Sequence, residues 1–221
     1  MKALVVGATG RTGQEIITEL LSRGIPVRAM VRDIEAARQT ISADVELVAG
    51  DLTQPETLAP ALESCTVVLN AAGVRPSWDP LEPFRVDYVG TKALVDAAKQ
   101  HGIQHFVLVS SLCVSQLFHP LNLFWLILVW KKQAEDYITQ SGIPYTIVRP
   151  GGLKSEDNDD ILVMTSADTL FEGSIPRRKV AQVCVEALFQ PTARNRIVEI
   201  VAKPEIPALS MEQLFTSVSI G

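Results

Sequence analysis

Short apolar runs alternate with longer amphipathic segments along this chain. The first run, KALVVG from Lys2, predicts a buried strand, and the segment RTGQEIITELLSRG that follows has its apolar residues at helical spacing and ends at Gly24. Two more helices are indicated by EPFRVDYVGTKALVDAAKQHG and WKKQAEDYITQSG. Further strands are predicted at IPVRAMVRD, VELVAGD, CTVVLNAAG, HFVLVSS and YTIVRPGG.

This alternation predicts an α/β fold of the Rossmann type, with a doubly wound parallel sheet and helices on both faces. The chain has 221 residues, and neither a repeat nor a long linker divides it, so a single domain over residues 1–221 is expected. From about Leu153 onwards, strand-like pieces such as ILVMTS and NRIVEIVA mix with two helical segments. This remainder, about residues 153–221, is predicted to form a small C-terminal lobe on the substrate side of the sheet.

Composition and charge exclude some classes of partner. The net charge of −5 gives no electrostatic support for nucleic-acid binding, and no metal site is expected. The three cysteines are widely spaced and form neither a CxxC motif nor an even disulfide framework. This cysteine usage predicts a reducing, cytoplasmic location.

An uncharged and strongly apolar stretch follows the fifth predicted strand. No residue from 102 to 130 carries a formal charge, and LFHPLNLFWLILVW occupies residues 117–130. Because His119, Pro120 and Asn122 interrupt it, the stretch is not expected to span a membrane, which takes about 20 continuous apolar residues. Two alternatives stay open: the wall of a pocket, or a surface for a protein partner or for self-association.

Three glycines spaced three residues apart, in the stretch VVGATGRTGQEI, indicate a site for the phosphates of a dinucleotide. Gly7 allows a tight turn, Gly10 allows backbone N–H groups to approach a pyrophosphate, and Gly13 allows close packing of helix and sheet. The helix that starts here directs its positive end at the anion. The residues expected to contact the cofactor in this loop are Gly7, Thr9, Gly10, Arg11, Thr12 and Gly13.

The end of the second predicted strand favours NADP(H) over NAD(H). An NAD site has an acidic residue there for the ribose 2′-hydroxyl, whereas AMVRD places Arg32 at this point and Asp33 one position later. A guanidinium pairs with a 2′-phosphate, and Arg11 is expected to join Arg32 in that contact. The other predicted cofactor contacts lie at or just after strand ends: Asp51, Leu52, Ala71, Ala72, Gly73, Ser110, Pro150 and Gly151.

The chain resembles the atypical short-chain dehydrogenase/reductases of the NAD(P)-binding, NmrA-like group. The motifs that carry the likeness occur in family order along nearly the whole chain: GATGRTG, VRD, GDLT, NAAG, VDYVGTKALVDAAKQHGIQHFVLVSS and GIPYTIVRPGGL. The resemblance implies a catalytic Ser, Tyr and Lys, with the Tyr as proton donor. Ser111 and Lys131 match the serine and the lysine, but Ile127 stands where the tyrosine belongs. A YxxxK spacing that starts at Tyr88 lies before the fifth predicted strand, whereas the family pair lies after it. We therefore interpret Tyr88 as a helix residue that packs on the sheet.

The missing tyrosine leaves two hypotheses about function. The first is an NADPH-dependent reductase that transfers hydride to a flat, easily reduced acceptor (a flavin, a quinone or a linear tetrapyrrole such as biliverdin), similar to the biliverdin-IXβ/flavin reductases. Its acceptor slot is predicted to be lined by Trp78, Leu112, Cys113, Phe118, Phe124, Trp125 and Leu153. The second is a non-catalytic NADP(H)-binding redox sensor or scaffold, with the apolar stretch as its partner surface.

Overall fold

A computed structural model describes residues 1–74 and 78–218 of the protein. Within them the strands are β1 (Ala3–Val6), β2 (Val27–Val31), β3 (Glu46–Ala49), β4 (Val67–Asn70), β5 (His105–Val109), β6 (Tyr145–Pro150), β7 (Gly152–Lys154), β8 (Ile161–Ser166), β9 (Ser174–Pro176) and β10 (Arg196–Lys203). The helices are α1 (Arg11–Ser22), α2 (Ile34–Ala37), α3 (Leu58–Leu62), α4 (Thr91–Gln100), α5 (Ile127–Ser141), α6 (Arg177–Glu186) and α7 (Met211–Ser217), and a π-helical segment, Phe84–Gly90, leads into α4.

The strands form one sheet, whose parallel part has the order β3-β2-β1-β4-β5-β6-β10. Val6 at the end of β1 is level with Met30 of β2 on one side and with Asn70 of β4 on the other. This reversal of strand order beside β1 is the switch point where doubly wound folds bind ligands, beyond the carboxyl ends of the strands. The predicted Rossmann-type α/β fold is confirmed.

Two apolar layers cover the sheet. Successive residues of β1 alternate between them, so that Val5 packs in the layer with α1 and α6, and Leu4 packs in the layer with α3 and α4. Because both faces are covered, β1 and β5 are buried along their whole length. This explains why the strands read in the sequence as continuous apolar runs rather than as alternating ones.

The segment predicted as a C-terminal lobe supplies an inner strand and an outer helix of this architecture. β10 pairs in parallel with β6, from Arg196 beside Thr146 to Ile200 beside Pro150, and its other edge pairs antiparallel with β8. α6 packs against α1. β9 pairs with β10 further along, at Ala202, and also with β7, so β7 and β9 lie beyond the carboxyl end of β6.

Candidate functional site

The loop between β1 and α1 has the shape that a phosphate cradle needs. Gly7 has a φ of +76°, and a Cβ on it would lie 2.6 Å from the backbone nitrogen of Ala72. A Cβ on Gly13 would lie 2.2 Å from the Gly7 carbonyl oxygen. Only glycine fits at either position, so the loop packs directly against the chain that leaves β4 and α1 packs directly against the loop.

The N-terminus of α1 is open to an anion. The helix begins at Arg11 after the N-cap residue Gly10, and no side chain caps its first turn. That turn contains no acidic residue. Thr9 is exposed on the loop and Thr12 is buried in the first turn. Unpaired backbone N–H groups and the helix dipole both favour a phosphate here, so these residues fit the predicted dinucleotide.

Arg32 and Asp33, which follow β2, have different roles. The Asp33 carboxylate accepts a hydrogen bond from the backbone N–H of Ala36 at 3.0 Å and caps α2. Arg32 is exposed and pairs with none of the described carboxylates. The acidic group is therefore used by the helix, and the guanidinium is available to a 2′-phosphate.

The other predicted cofactor contacts follow the ends of neighbouring strands. Residues 71–73 follow β4 beside the glycine loop, Pro150 ends β6, and Gly151 follows it. The Asp51 carboxylate stabilises a local turn, because it accepts hydrogen bonds from the backbone N–H and the hydroxyl of Thr53, both at 2.8 Å. Leu52 is buried and would lie 2.7 Å from a Cβ on Gly90. Leu52 is thus a packing residue in this structure.

The two serines after β5 have different surroundings. Ser110 is buried, and its hydroxyl donates to Glu135 at 2.5 Å. Glu135 pairs with Arg149 at 2.6 Å, and Arg149 pairs with Glu199 at 3.2 Å, with all three side chains at most 1% exposed. Ser110 therefore belongs to a buried ionic network. Ser111 is half-buried, and no described residue forms a hydrogen bond with its hydroxyl.

Lys131 is held by a buried carboxylate. Its ammonium group donates to Oδ1 of Asp87 at 2.9 Å, and Oδ2 of Asp87 is buried without a partner among the described residues. A void of about 10 Å³ lies between this pair and Ser110, which is the space of about one water molecule. Lys131 also lies 3.6 Å from where a Cβ on Gly73 would be. The structure therefore places Lys131 beside Gly73, just after the carboxyl end of β4.

No proton donor stands at the position of the missing tyrosine. Ile127 is the first residue of α5, and it packs against an apolar cluster that contains Leu112 and Leu128. The two residues before it, Trp125 and Leu126, are both left-handed, with φ of 58° and 57°. Bulky residues in this conformation are strained, and their occurrence in succession sets the abrupt start of the helix.

The tyrosines of the chain have other contacts. Tyr88 stacks on Trp130 with a centroid distance of 6.3 Å. The Tyr137 hydroxyl donates to Asp96 at 2.5 Å, and this hydrogen bond raises the pKa of Tyr137 to about 12. Tyr145 is buried in β6, and burial raises its pKa. Tyr137 and Tyr145 therefore lack the lowered pKa that suits a catalytic phenol near neutral pH.

The side chains predicted to line an acceptor slot fall into two groups. Leu112 and Cys113 are buried in the apolar cluster beneath α5. Trp78 and Phe118 are each 97% exposed, and the remaining members are also exposed: Phe124, Trp125 and Leu153. The aromatic members thus form open surface rather than closed walls. Within residues 1–74 and 78–218, no helix is long and apolar enough to cross a membrane.

Two parts of the site were missed in the sequence. Arg149 and Glu199 are charged residues inside apolar strand runs, and they face each other as register partners of β6 and β10. A charge at the centre of a buried strand is costly unless it is paired, so the runs TIVRP and IVEIV contained the signal. Asp87 lies inside the motif VDYVGTKAL, but no nearby residue in the sequence indicates that it pairs with Lys131.

The placement of Arg11 was also not foreseen. Its guanidinium donates to Ser155 at 3.2 Å, and Arg177 donates to the same hydroxyl oxygen. Arg11, Ser155 and Arg177 line one surface cleft, and Arg32 is not among the residues that line it. The predicted cooperation of Arg11 with Arg32 stays a prediction, while its contact with the segment after β7 is part of the structure.

Comparison with known proteins gives consistent matches. The NAD(P)H-binding family matches residues 7–191. A chloroplastic protein of Arabidopsis thaliana is 47% identical over 98% of this chain and 82% of its own length. Sanguinarine reductase of Eschscholzia californica is 31% identical over 93% of this chain and 90% of its own length. Protein TIC 62 of Pisum sativum, also chloroplastic, is 34% identical over 97% of this chain but only 45% of its own length.

Solved structures agree with these matches. A Bacillus halodurans protein named as an NAD-dependent epimerase/dehydratase is 27% identical, with a TM-score of 0.85 over 98% of this chain and 99% of that one. Triphenylmethane reductase of Citrobacter, complexed with NADP(H), shares the fold at 22% identity, with a TM-score of 0.69 over 93% of this chain and 71% of that one. The family match confirms the predicted dinucleotide cofactor as NAD(P)H, and the preference for NADP(H) stays a prediction.

The predicted cytoplasmic location is wrong, because relatives that match almost the whole chain are chloroplastic. Cys65, Cys113 and Cys184 are free and buried, in agreement with reducing surroundings. Free thiols do not distinguish one reducing compartment from another, so cysteine usage was not sufficient for this prediction.

Proposed function

Because the chain belongs to the NAD(P)H-binding, NmrA-like group of atypical short-chain dehydrogenase/reductases, we propose that it is an NADPH-dependent reductase of a flat, easily reduced acceptor. The observation that carries the proposal is an open glycine loop at the N-terminus of α1, combined with Ile127 at the position that the family resemblance gives to the proton donor. A flavin, a quinone or a linear tetrapyrrole can take its proton from water. Such acceptors therefore need positioning more than a protein acid.

The residues of the chain would bind and orient the two reactants. NADPH supplies the hydride when bound. The glycine loop and the N-terminus of α1 would hold its pyrophosphate, and Arg32 its 2′-phosphate. Lys131 would donate to the nicotinamide ribose, with Asp87 as the positioning residue that holds the ammonium group in place.

Ser111 is the side chain best suited to orient the acceptor or the nicotinamide. It follows β5 at the edge where the cofactor residues collect, and its hydroxyl is not used by the described residues. Ser110 is less suited, because its hydroxyl is already bonded to Glu135. The likeness to sanguinarine reductase over nearly the full length of both chains supports a reductase.

The proposal is tested by mixing the protein with NADPH and a panel of flavins, quinones and biliverdin, and by following the absorbance of NADPH at about 340 nm. We expect oxidation of NADPH with at least one acceptor class. A Gly13→Ala variant is the control, since its added methyl group collides with the glycine loop and removes the cofactor site. Tight NADPH binding without turnover for any acceptor would contradict the reductase proposal.

A second candidate is an NADP(H)-binding scaffold or redox sensor that has no turnover. It is favoured by exposed apolar side chains between β5 and α5, among which Phe118 is 97% exposed and Leu123 is 84% exposed. Monomeric proteins rarely expose large apolar patches unless these bind something. This candidate predicts NADPH binding without oxidation in the assay above, and self-association or partner binding that Phe118→Ser weakens.

A further inference from the structure

Three hydrogen-bond donors meet just outside the glycine loop. The guanidinium of Arg11, the first residue of α1, donates to Oγ of Ser155 at 3.2 Å. The guanidinium of Arg177, the first residue of α6, donates to the same oxygen at 3.2 Å and to the Leu153 carbonyl at 3.3 Å. One neutral hydroxyl thus holds two cationic groups close to each other.

This arrangement lacks a counter-ion among the described residues. Burial lowers the pKa of Arg177, and the charge of Arg11 lowers it further. Glu15 lines the same cleft, but it forms no ion pair with either guanidinium. The cleft has a volume of about 330 Å³ and is otherwise lined by Gln14 and the three donor residues. Two like charges at this separation repel each other, and an anion between them would relieve that repulsion.

The chemistry of the three groups specifies the class of ligand. The Ser155 oxygen uses its two lone pairs to accept from the two arginines, so its own hydrogen remains available for donation. Guanidinium groups have donors only, in a fork that matches the oxygens of a phosphate. Converging donors of this kind suit a phosphate ester, which accepts hydrogen bonds and is negatively charged.

The position of the cluster identifies the phosphate. Arg11 directly follows Gly10 of the glycine loop, and the cluster therefore borders the cradle at the N-terminus of α1. We propose that Arg11, Ser155 and Arg177 bind the pyrophosphate of NADP(H) together with the glycine loop. The inference rests on cofactor binding and is independent of any reductase activity. It makes the segment from β7 to α6 part of the cofactor site and gives Arg11 a partner other than Arg32.

Three ligands distinguish the binding of the pyrophosphate from the binding of the 2′-phosphate. NADPH has both the pyrophosphate and the 2′-phosphate, NADH has only the pyrophosphate, and adenosine 2′-monophosphate has only the 2′-phosphate. We expect Arg177→Gln to raise the dissociation constants of NADPH and NADH by the same factor, about tenfold, and to leave that of adenosine 2′-monophosphate unchanged. Titration calorimetry at one fixed salt concentration measures all three constants without turnover.

The matched control is Arg178→Gln, which removes the same charge from the next residue. The Arg178 side chain is 63% exposed and lies 3.7 Å from Asp157, so we expect wild-type affinities. Should Arg177→Gln not fold, Arg11→Gln at the exposed first position of α1 has the same expected result. The proposal is overturned if Arg177→Gln and Arg11→Gln bind all three ligands like the wild type, or if they weaken NADPH but not NADH. A failed reductase assay would leave these outcomes unaffected.

Discussion

The ammonium group of Lys131 on α5 lies 2.9 Å from the carboxylate of Asp87, on the π-helical segment that precedes α4. The Asp87 side chain is 2% exposed and that of Lys131 is 16% exposed. A buried carboxylate of this kind depends on its cationic partner, because removing one member leaves an uncompensated charge. The pair therefore links the cofactor edge of β4 to the packing of α5.

Lys131→Met is expected to lower the free energy of unfolding by about 3 kcal/mol, because the Asp87 charge is left without its partner. The double variant Lys131→Met/Asp87→Asn should regain most of this loss, since no buried charge remains. Urea unfolding of the wild type, both single variants and the double variant measures the coupling. A double variant that loses the sum of the two single losses would show that the pair has no stabilising coupling.

Arg32→Ala is expected to weaken NADPH binding by about 10- to 100-fold and to change NADH binding little, because only NADPH has the 2′-phosphate. Arg38→Ala is the matched control. Arg38, at the end of α2, is also an exposed arginine, but it pairs with Glu35 at 3.7 Å. Dissociation constants from fluorescence titration decide the matter, and an equal loss for both cofactors would refute the 2′-phosphate contact.

The two serines after β5 are expected to respond differently to alanine. Ser111→Ala should lower turnover about tenfold or more with little change in NADPH affinity, because its hydroxyl is free to contact the reactants. Ser110→Ala should instead lower the free energy of unfolding by about 1–2 kcal/mol, since Glu135 loses a buried hydrogen bond. Steady-state kinetics and thermal melts of both variants test this contrast. Unchanged turnover of Ser111→Ala would remove that residue from the mechanism.

The free energy of unfolding is expected to depend on pH because of His105. His105 is buried on β5, and burial, with a smaller effect of the Arg194 charge, lowers its pKa from 6.5 to about 4. With this pKa the ring is neutral near pH 7. The Thr146 hydroxyl donates to the Ala193 carbonyl at 2.7 Å, and it therefore accepts a hydrogen bond from Nε2 of His105 at 2.9 Å. The unfolded chain takes up a proton below about pH 6.5, whereas the folded chain does so only near pH 4.

The free energy of unfolding is therefore expected to fall as the pH decreases from about 6.5 to about 4, by up to about 3 kcal/mol from this residue. Above pH 6.5 its contribution should be constant. His105→Gln retains a hydrogen-bond donor for Thr146 but cannot titrate, so the difference in stability between wild type and variant should change over that pH range. A difference that stays constant from pH 7 to pH 4 would show that His105 is not responsible.

Much of the fold could be predicted from local patterns. The apolar runs and the helical spacing between them determine a parallel sheet covered on both faces, because such strands must be buried on both sides. The glycines of VVGATGRTGQEI predict where the dinucleotide binds, and the structure gives Gly7 and Gly13 backbone contacts that exclude a side chain. The 2′-phosphate contact of Arg32 stays a prediction, while the structure shows that Asp33 caps α2.

Other features depended on contacts between distant parts of the chain. Arg11 reaches Ser155 over 144 positions, and Lys131 reaches Asp87 over 44. Periodicity indicates which face of an element is buried, but it does not indicate which charged residue of another element lies opposite. The exposure of Phe118 was undetermined for a similar reason, because an apolar side chain fits either a core or a binding surface.

The sequence by itself determined the Rossmann fold, the cofactor and the loss of the usual tyrosine, since each depends on residues within one strand, loop or helix turn. Only the tertiary structure decided that Ser110 is part of a buried ionic network, that Asp87 holds Lys131, and that Arg177 lies beside the glycine loop. These pairings arise when strand order and helix packing bring separate segments together. Coulomb and hydrogen-bond interactions act over a few ångströms of space, whatever the distance along the chain.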